Sequence, residues 1–215
     1  MRRRSVLAGL TTAGAVALAG CSLLDDDGTL ERSAAFAQVT EDALAQTSFD
    51  HAERRERTTE QTLEVADQRR SVRLTNWQNK YRAAIPTLEF DASRVSLFTT
   101  PTVSIAGRDA NPFRVLDEEQ LVEEMVERVD TGPVEDVEKT GERPVTVLGE
   151  ELAVSEFDAR TTYENQRIII RMHLGQRTHE GDLLVLFGLH PELLAQTDEI
   201  DTLFSGVEHP VEPDG

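Results

Sequence analysis

Cysteine is almost absent from this chain of 215 residues, which contains one, Cys21. Because Cys21 ends an apolar N-terminal run, the remainder of the chain has no thiol to contribute to a folded body. Intrachain disulfides are therefore excluded, and so are thiol redox activity and metal sites that require a cysteine ligand. The same absence excludes a small copper carrier with a cysteine, histidine and methionine ligand set.

Sequence motifs that build well-known catalytic sites are missing as well. No HExxH, GxSxG, GxxxxGK or GxGxxG pattern occurs, and no two histidines have the i, i+4 spacing of a helical zinc motif. With 40 Asp and Glu residues, paired carboxylates arise by chance and do not identify a general acid and base. We therefore predict no catalytic residue, no cofactor and no metal site, and a non-enzymatic role is favoured.

Lysine is scarce, whereas acidic residues are abundant. Lys80 and Lys139 are the only lysines, and 40 acidic residues against 22 basic ones give a formal net charge of −18. At about 1 M salt the Debye length is about 3 Å, which screens the self-repulsion of such a surface, so the composition fits a halophilic protein. A merely acidic mesophilic protein is the alternative. The charge also argues against binding of nucleic acid or of anionic lipid.

The N-terminal region lacks an apolar run long enough to span a membrane. The run from Val6 to Ala19 has 14 residues. At ~1.5 Å per residue, a helix of that length reaches about 21 Å, short of the ~30 Å hydrocarbon core. Arg3 and Arg4 precede the run, as in a twin-arginine (Tat) export signal. We interpret residues 1–20 as a signal peptide that is removed.

The apolar run ends in Leu18, Ala19, Gly20 and Cys21, which together resemble a lipobox, the site where a lipoprotein precursor is lipidated and cleaved. Small residues before the cleavage point fit a narrow peptidase cleft, and the thiol is the nucleophile that accepts the lipid. A core cysteine after an ordinary signal peptide is the alternative. The lipobox predicts a membrane anchor through Cys21 on the extracytoplasmic face, and processing would remove three bases and no acids, leaving a charge of −21.

Residues 29–209 are predicted to form one domain, between a lipidated tether at 21–28 and a frayed tail at 210–215. The fold class predicted is α+β, with a mostly antiparallel sheet of about six to eight strands. Two late segments are apolar on both faces, which indicates central strands covered on both sides. We expect amphipathic helices to supply those covers.

Local patterns predict the main elements of this domain. Alternating apolar residues predict a hairpin with its turn near Asp67 and a bulge near Asn76. Asp117, three residues before Gln120, predicts a capping box at the start of an amphipathic helix. The segment from Val134 to Leu189 is interpreted as an antiparallel meander.

Trp77, the only tryptophan, is interpreted either as an anchor in the core or on a sheet face, or as a ligand contact. The twin-arginine lipobox, the segment from Leu44 to Phe49, the polar hairpin and Thr75-Asn76-Trp77 together resemble an uncharacterised family of haloarchaeal lipoproteins, a domain of unknown function, over nearly the whole chain. The closing order of central strand, proline turn and final helix is similar to the PsbP-like α/β/α sandwich. That similarity concerns layout and implies no function, and the family implies no catalytic residue.

Two histidines flank a turn that the meander predicts. His173 and His179 could meet across a hairpin there, with Glu180 and Asp182 nearby. A solvated hairpin end is the plainer interpretation, so no metal site is assigned to these residues.

Three functions fit the sequence. The first is a non-catalytic accessory or binding lipoprotein on the outer face of the cell membrane, which binds a protein or small ligand through the polar hairpin or a sheet face. The second is an extracytoplasmic hydrolase with a site assembled from scattered residues. The third is a solute-binding component of a transporter, for which the chain is short.

Overall fold

A computed structural model describes residues 23–24, 29–65, 68–83, 93–105, 108–129, 133–163 and 166–212. In chain order the strands are β1 (Leu23–Leu24), β2 (Leu30–Ser33), β3 (Phe36–Val39), β4 (Phe49–Val65), β5 (Gln68–Ala83), β6 (Ser93–Pro101), β7 (Ser104–Ile105), β8 (Arg108–Asp109), β9 (Val134–Val147), β10 (Glu150–Tyr163), β11 (Gln166–His179), β12 (Asp182–Pro191) and β13 (Val207–Val211). The helices are α1 (Glu41–Leu44), α2 (Glu118–Arg128) and α3 (Thr197–Ser205), with short 3₁₀ helices η1 (Pro112–Val115) and η2 (Glu192–Leu194).

Nine of these strands form one mixed sheet in the order β1-β2-β5-β6-β12-β11-β10-β9, with β4 beside β5. Neighbouring strands are antiparallel except for β2 and β5, whose residues 30–33 and 72–75 run parallel. β2 and β6 lie along the same side of β5, next to its first and second halves. Among the described residues, β4 and β9 are the long edge strands, each with one strand neighbour.

Two hairpins of the meander β9–β12 turn through residue pairs with positive φ. Leu148 and Gly149 have φ of 52° and 78°, and Glu180 and Gly181 have φ of 50° and 88°. Positive φ at both central residues is typical of a type I′ turn, whose twist matches that of the flanking strands. Glycine in the second place adopts this conformation without the steric cost of a side chain. Both glycines therefore fix the pairing of their hairpins.

One face of the sheet packs against α2. The predicted capping box is confirmed, because Asp117 accepts a hydrogen bond from Gln120 N at 2.9 Å and Gln120 accepts one from Asp117 N at 3.2 Å. The buried side of the helix carries Leu121, Val122 and Met125, all fully inaccessible to solvent. These side chains share a core with residues from β6, β10, β11 and β12, among them Phe98, Phe157, Met172 and Phe187.

The opposite face is covered by α3 together with α1 and the short β3–β13 ribbon. Ile200, Leu203 and Phe204 of α3 are fully buried. They share a core with sheet residues that include Val95, Leu97, Val147, Val154, Leu184 and Leu186. This surface is called the α3 face below.

Side-chain hydrogen bonds hold β3 on the α3 face. The hydroxyl of Tyr81 accepts a hydrogen bond from Val39 N at 2.8 Å and another from the Asn79 amide at 2.8 Å. The Thr99 hydroxyl donates to Ala35 O at 2.8 Å, just before β3 begins. Burial raises the pKa of Tyr81 to about 12, so its hydroxyl stays neutral.

The predicted α+β class is wrong, because the fold is mostly β with one large mixed sheet. Strands β4, β9, β10 and β11 have 14 to 17 residues, whereas the two longest described helices have 11 and nine. The helices share the cover of each face with short strands and a 3₁₀ turn. Strands such as β9 are exposed at most positions and therefore lack the apolar alternation that marks a strand in sequence. No helix in the described ranges is long and apolar enough to cross a bilayer.

The predicted hairpin and meander are confirmed, and the predicted bulge is wrong. β4 and β5 pair from Phe49 to Ala83, and their register shifts near His51 and not near Asn76. The apolar residues of β5 change phase at Trp77 because the first half of the strand is buried on one face of the sheet and the second half on the other. Regular alternation of side chains along a strand allows this change without a bulge. Strands β9 to β12 pair in sequence order, as a meander requires. Asp67 lies outside the described residues.

Candidate functional site

Three ionisable side chains from distant parts of the chain meet beside the β11–β12 turn. His179 ends β11, Asp182 begins β12, and His209 lies in β13. The Nδ1 atoms of the two imidazoles are 3.0 Å apart, and His209 Nε2 lies 3.2 Å from Asp182 Oδ2. The three groups form a continuous chain, from imidazole to imidazole to carboxylate.

Two pairings of the fold bring these groups together. The tight turn between β11 and β12 pairs His179 with Asp182, and directly paired residues point to the same side of a sheet. That side is the α3 face, because Leu184, two residues along β12, belongs to the core there. β13 pairs with β3 on the same face. Asp182 Oδ2 also accepts a hydrogen bond from Ala35 N at 2.7 Å. This carboxylate therefore contacts one residue from early in the described sequence, Ala35, and one from late in it, His209.

Burial and hydrogen-bond chemistry define the proton positions in this chain. Asp182 is 6% exposed, the His209 side chain is fully buried and His179 is half-buried. With Asp182 ionised and His209 neutral, His209 donates through Nε2 to the carboxylate, and its Nδ1 is then the acceptor that faces His179 Nδ1. Such an oriented imidazole can hold a proton or bind a metal ion. Across the described ranges, no group of three or more His, Cys, Asp or Glu side chains is arranged so that all of them could hold one metal ion.

A second polar cluster lies beneath α3. Arg143 of β9 binds Asp201 of α3 through Nε, at 2.9 Å from Oδ2, and through Nη2. Arg143 Nη1 lies 2.9 Å from Glu156 Oε1 and 3.0 Å from His173 Nδ1. The guanidinium therefore ties α3 to three neighbouring strands, β9, β10 and β11.

His173 is a neutral core group in this second cluster. Its side chain is fully buried, and its ring stacks on that of His190 with centroids 5.3 Å apart. Burial, followed by the Arg143 cation, lowers the pKa of His173 from 6.5 to about 2. Burial also lowers the pKa of His190, whose Nδ1 lies 2.8 Å from Pro191 O. Because both rings are enclosed, we assign this cluster to the stability of the fold.

The β4–β5 hairpin, residues 49–83, is called the arm. It carries eight Arg and Lys against six Asp and Glu, whereas the rest of the chain carries 14 against 34. Its outer strand, β4, is 17 residues long and pairs with β5 alone among the described strands. The arm is thus a long edge with a small positive excess on a strongly acidic protein.

An aromatic and cationic patch lies on the arm where β3 crosses it. The Arg54 guanidinium carbon is 4.3 Å from the centre of the Phe36 ring, and Trp77 meets that ring edge-on at 5.7 Å. Phe36 is buried, Arg54 and Trp77 are partly exposed, and Glu56, which pairs with Trp77, is exposed. These four residues are called the Trp77 patch.

Residues 36–208 match the family described as Domain of unknown function (DUF6517). The chain belongs to this family. The DUF6517 match begins at the first residue of β3 and ends within β13, so it includes the arm, the meander and the helices α1, α2 and α3. No curated protein matches the chain.

The signal and anchor residues predicted for this DUF6517 protein lie outside the described residues. They are Arg3, Arg4, Leu18, Ala19, Gly20 and Cys21. Trp77 is described, and its observed partner is the Phe36 ring. Its role as a ligand contact stays a prediction.

The histidines of this DUF6517 protein are arranged differently from the sequence interpretation. His173 and His179 lie on the same strand and do not meet across a turn. His179 instead meets His209, which lies in β13, a strand that extends to Val211 and so into the tail predicted to be frayed. No local signal marks His209, because its pairing depends on how β13 folds back over β12. The one hint of this site in the sequence is Asp182, a charged residue at the start of an otherwise apolar strand.

Proposed function

We propose that this protein is a twin-arginine-exported lipoprotein of a haloarchaeal type, anchored by lipid on Cys21 at the extracytoplasmic face of the membrane. The support is the sequence of Arg3, Arg4 and the lipobox that ends at Cys21. The acidic, lysine-poor composition supports a saline environment, because salt at molar concentration screens the repulsion between its charges. The similarity to the PsbP-like layout stays a prediction and carries no part of this proposal.

The folded domain acts as a non-catalytic binding module that uses the arm. The observation that carries this role is the Trp77 patch, in which partly exposed Trp77 and Arg54 sit on the rigid, buried ring of Phe36. Tryptophan and arginine dominate the energy of many protein interfaces because each combines a large apolar contact with a polar group. A protein partner on the same membrane surface is the ligand that such an extended edge fits best.

The anchor is tested with the Cys21→Ser variant, expressed in a host with the matching export system. We expect wild-type protein in the membrane fraction and the variant in the medium, because the variant has no thiol to accept lipid. Arg3→Lys with Arg4→Lys should leave the precursor inside the cell. A Cys21→Ser protein that stays with the membrane and keeps the wild-type mass would contradict the anchor.

The binding role is tested by photo-crosslinking in intact cells. A photoreactive residue replaces Glu56 in the Trp77 patch, and the matched control replaces exposed Thr146 on the other edge strand, β9. We expect a discrete adduct of defined mass from position 56 only, lost when Trp77→Ala is added. Equal adducts from both positions, or none from position 56, would contradict a partner at the arm.

The hydrolase alternative has one supporting observation, the orientation of His209 by Asp182, which resembles the carboxylate and imidazole of a hydrolytic triad. In such a triad the second imidazole nitrogen faces a nucleophilic hydroxyl. Here His209 Nδ1 faces His179 instead. The arrangement therefore favours the binding module.

A further inference from the structure

We propose that His179 and His209 form a site for a divalent transition-metal ion, with Asp182 orienting His209. The inference does not depend on the anchor or on the arm, because none of its three side chains belongs to either of them. It rests on two imidazole nitrogens that face each other and on a buried carboxylate behind one of them.

The distance between the two nitrogens is close to what a metal ion requires. His179 Nδ1 and His209 Nδ1 are 3.0 Å apart. An ion bound tetrahedrally to two imidazoles at about 2.0–2.1 Å holds the nitrogens about 3.3–3.4 Å apart. The pair therefore needs to open by a few tenths of an ångström, and the His179 ring needs to turn so that its Nδ1 lone pair points at the ion and not at His209 Nδ1. The rings are inclined by 67°, so they meet through their nitrogen edge and are not stacked face to face.

Asp182 prepares one of the two ligands. A metal-binding imidazole commonly donates its other ring N–H to a carboxylate, which fixes the ring and its tautomer. His209 has this arrangement, with Nε2 at 3.2 Å from Asp182 Oδ2, and its Nδ1 lone pair points towards His179. Asp182 is itself held by Ala35 N at 2.7 Å. The buried half of the site is thus in place before an ion arrives.

His179 supplies the accessible half of the site. It is half-buried at the end of β11, whereas the His209 side chain is fully enclosed. In the metal-free form one proton lies between the two Nδ1 atoms. On binding, His179 moves that proton to Nε2, which leaves both Nδ1 lone pairs for the ion.

The donor set determines the class of ion. Two neutral imidazoles favour Cu²⁺, Ni²⁺ and Zn²⁺ over Ca²⁺ and Mg²⁺, which prefer oxygen ligands, and Cu²⁺ is expected to bind most tightly. Because no third metal-ligating side chain joins the pair in the described ranges, water completes the coordination and the ion exchanges readily. The other close histidine pair, His173 and His190, is enclosed and its Nδ1 atoms face Arg143 and Pro191. This enclosed pair therefore does not compete for the metal ion.

The test titrates Cu²⁺ and Zn²⁺, by calorimetry, into the tag-free full chain carrying Cys21→Ser, so that the thiol cannot bind metal. We expect one ion per chain, and a Cu²⁺ electron paramagnetic resonance spectrum with coupling to two nitrogens. His179→Gln, at the half-buried position, should weaken binding at least tenfold. His51→Gln, at an exposed histidine on the arm, is the matched control and should bind as the parent does.

Asp182→Asn reports on the orienting role and should weaken binding about 10–100-fold if the variant keeps its fold by circular dichroism. Should that variant unfold, nitrogen-15 spectra of the histidine rings in the parent chain replace it, and Zn²⁺ should shift Nδ1 of two rings. Absence of saturable binding, binding unchanged by His179→Gln, or loss of binding in His51→Gln would each overturn the proposal.

Discussion

At the scale of single residues, Tyr81 joins the two layers on the α3 face. Its hydroxyl accepts a hydrogen bond from Val39 N in β3 and is almost completely buried. In Tyr81→Phe the Val39 N–H would lose its partner inside the protein, at a cost of about 1–3 kcal/mol. Chemical denaturation should show this loss, whereas Thr146→Val on exposed β9 should change stability by less than about 0.5 kcal/mol. Equal effects of the two substitutions would mean that the hydroxyl contributes nothing.

His173 makes the stability of the protein depend on pH. Its pKa is about 2 in the folded state against 6.5 for an ordinary histidine, so the unfolded chain binds the extra proton. Stability is therefore complete above about pH 6.5 and declines as the pH falls, by about 2 kcal/mol at pH 5. The lowered pKa of His190 acts in the same direction.

Denaturation at pH 7.5 and pH 5.0 measures this effect. Wild type should lose stability between the two values, and His173→Gln, which cannot titrate, should lose clearly less. Thr146→Val, at an exposed position of β9 and without a titratable group, should lose as much stability as wild type does. The assignment fails if His173→Gln and wild type lose the same amount. Below about pH 4.5, carboxyl groups with lowered pKa, such as Glu118 beside Lys139, add a further loss.

At the scale of elements, features set by neighbouring residues could be predicted and long-range ones could not. The capping box of α2 depends on Asp117 and Gln120 alone, and the hairpin registers depend on glycine turns. The fold class could not be predicted because the short amphipathic stretches indicate whole covering layers, whereas the helices they form have only 11 and nine residues. The pairing of His179 with His209 depends on β13 folding back over the sheet, which no local pattern encodes.

The contact between α1 and α3 requires a glycine at position 206. A Cβ added there would lie 2.3 Å from Ala43 Cβ, far inside van der Waals contact. Gly206→Ala should therefore cost about 1–3 kcal/mol, because the two helices must separate. Adding Ala43→Gly removes the clashing atom and should recover part of that loss. A double variant no more stable than Gly206→Ala alone would show that the close approach is not the cause.

At the scale of the whole molecule, one wide sheet separates two cores, and the net charge of −18 surrounds both. Repulsion among these charges is screened at molar salt, so the melting temperature should rise between 0.1 and 2 M NaCl. Glu119→Gln, Glu123→Gln and Glu127→Gln on exposed positions of α2 form the matched variant and should reduce that rise. A melting temperature that falls with salt, or an equal rise in the variant, would contradict the electrostatic account.

The proposed location and the proposed role both depend on a lipid at Cys21 that holds an acidic binding domain outside the cell. Mass spectrometry of the N-terminal peptide from membrane-bound protein detects that lipid. We expect a peptide that begins at Cys21 and bears the added mass of lipid. A peptide that still contains residues 1–20, or a Cys21 with a free thiol, would contradict it.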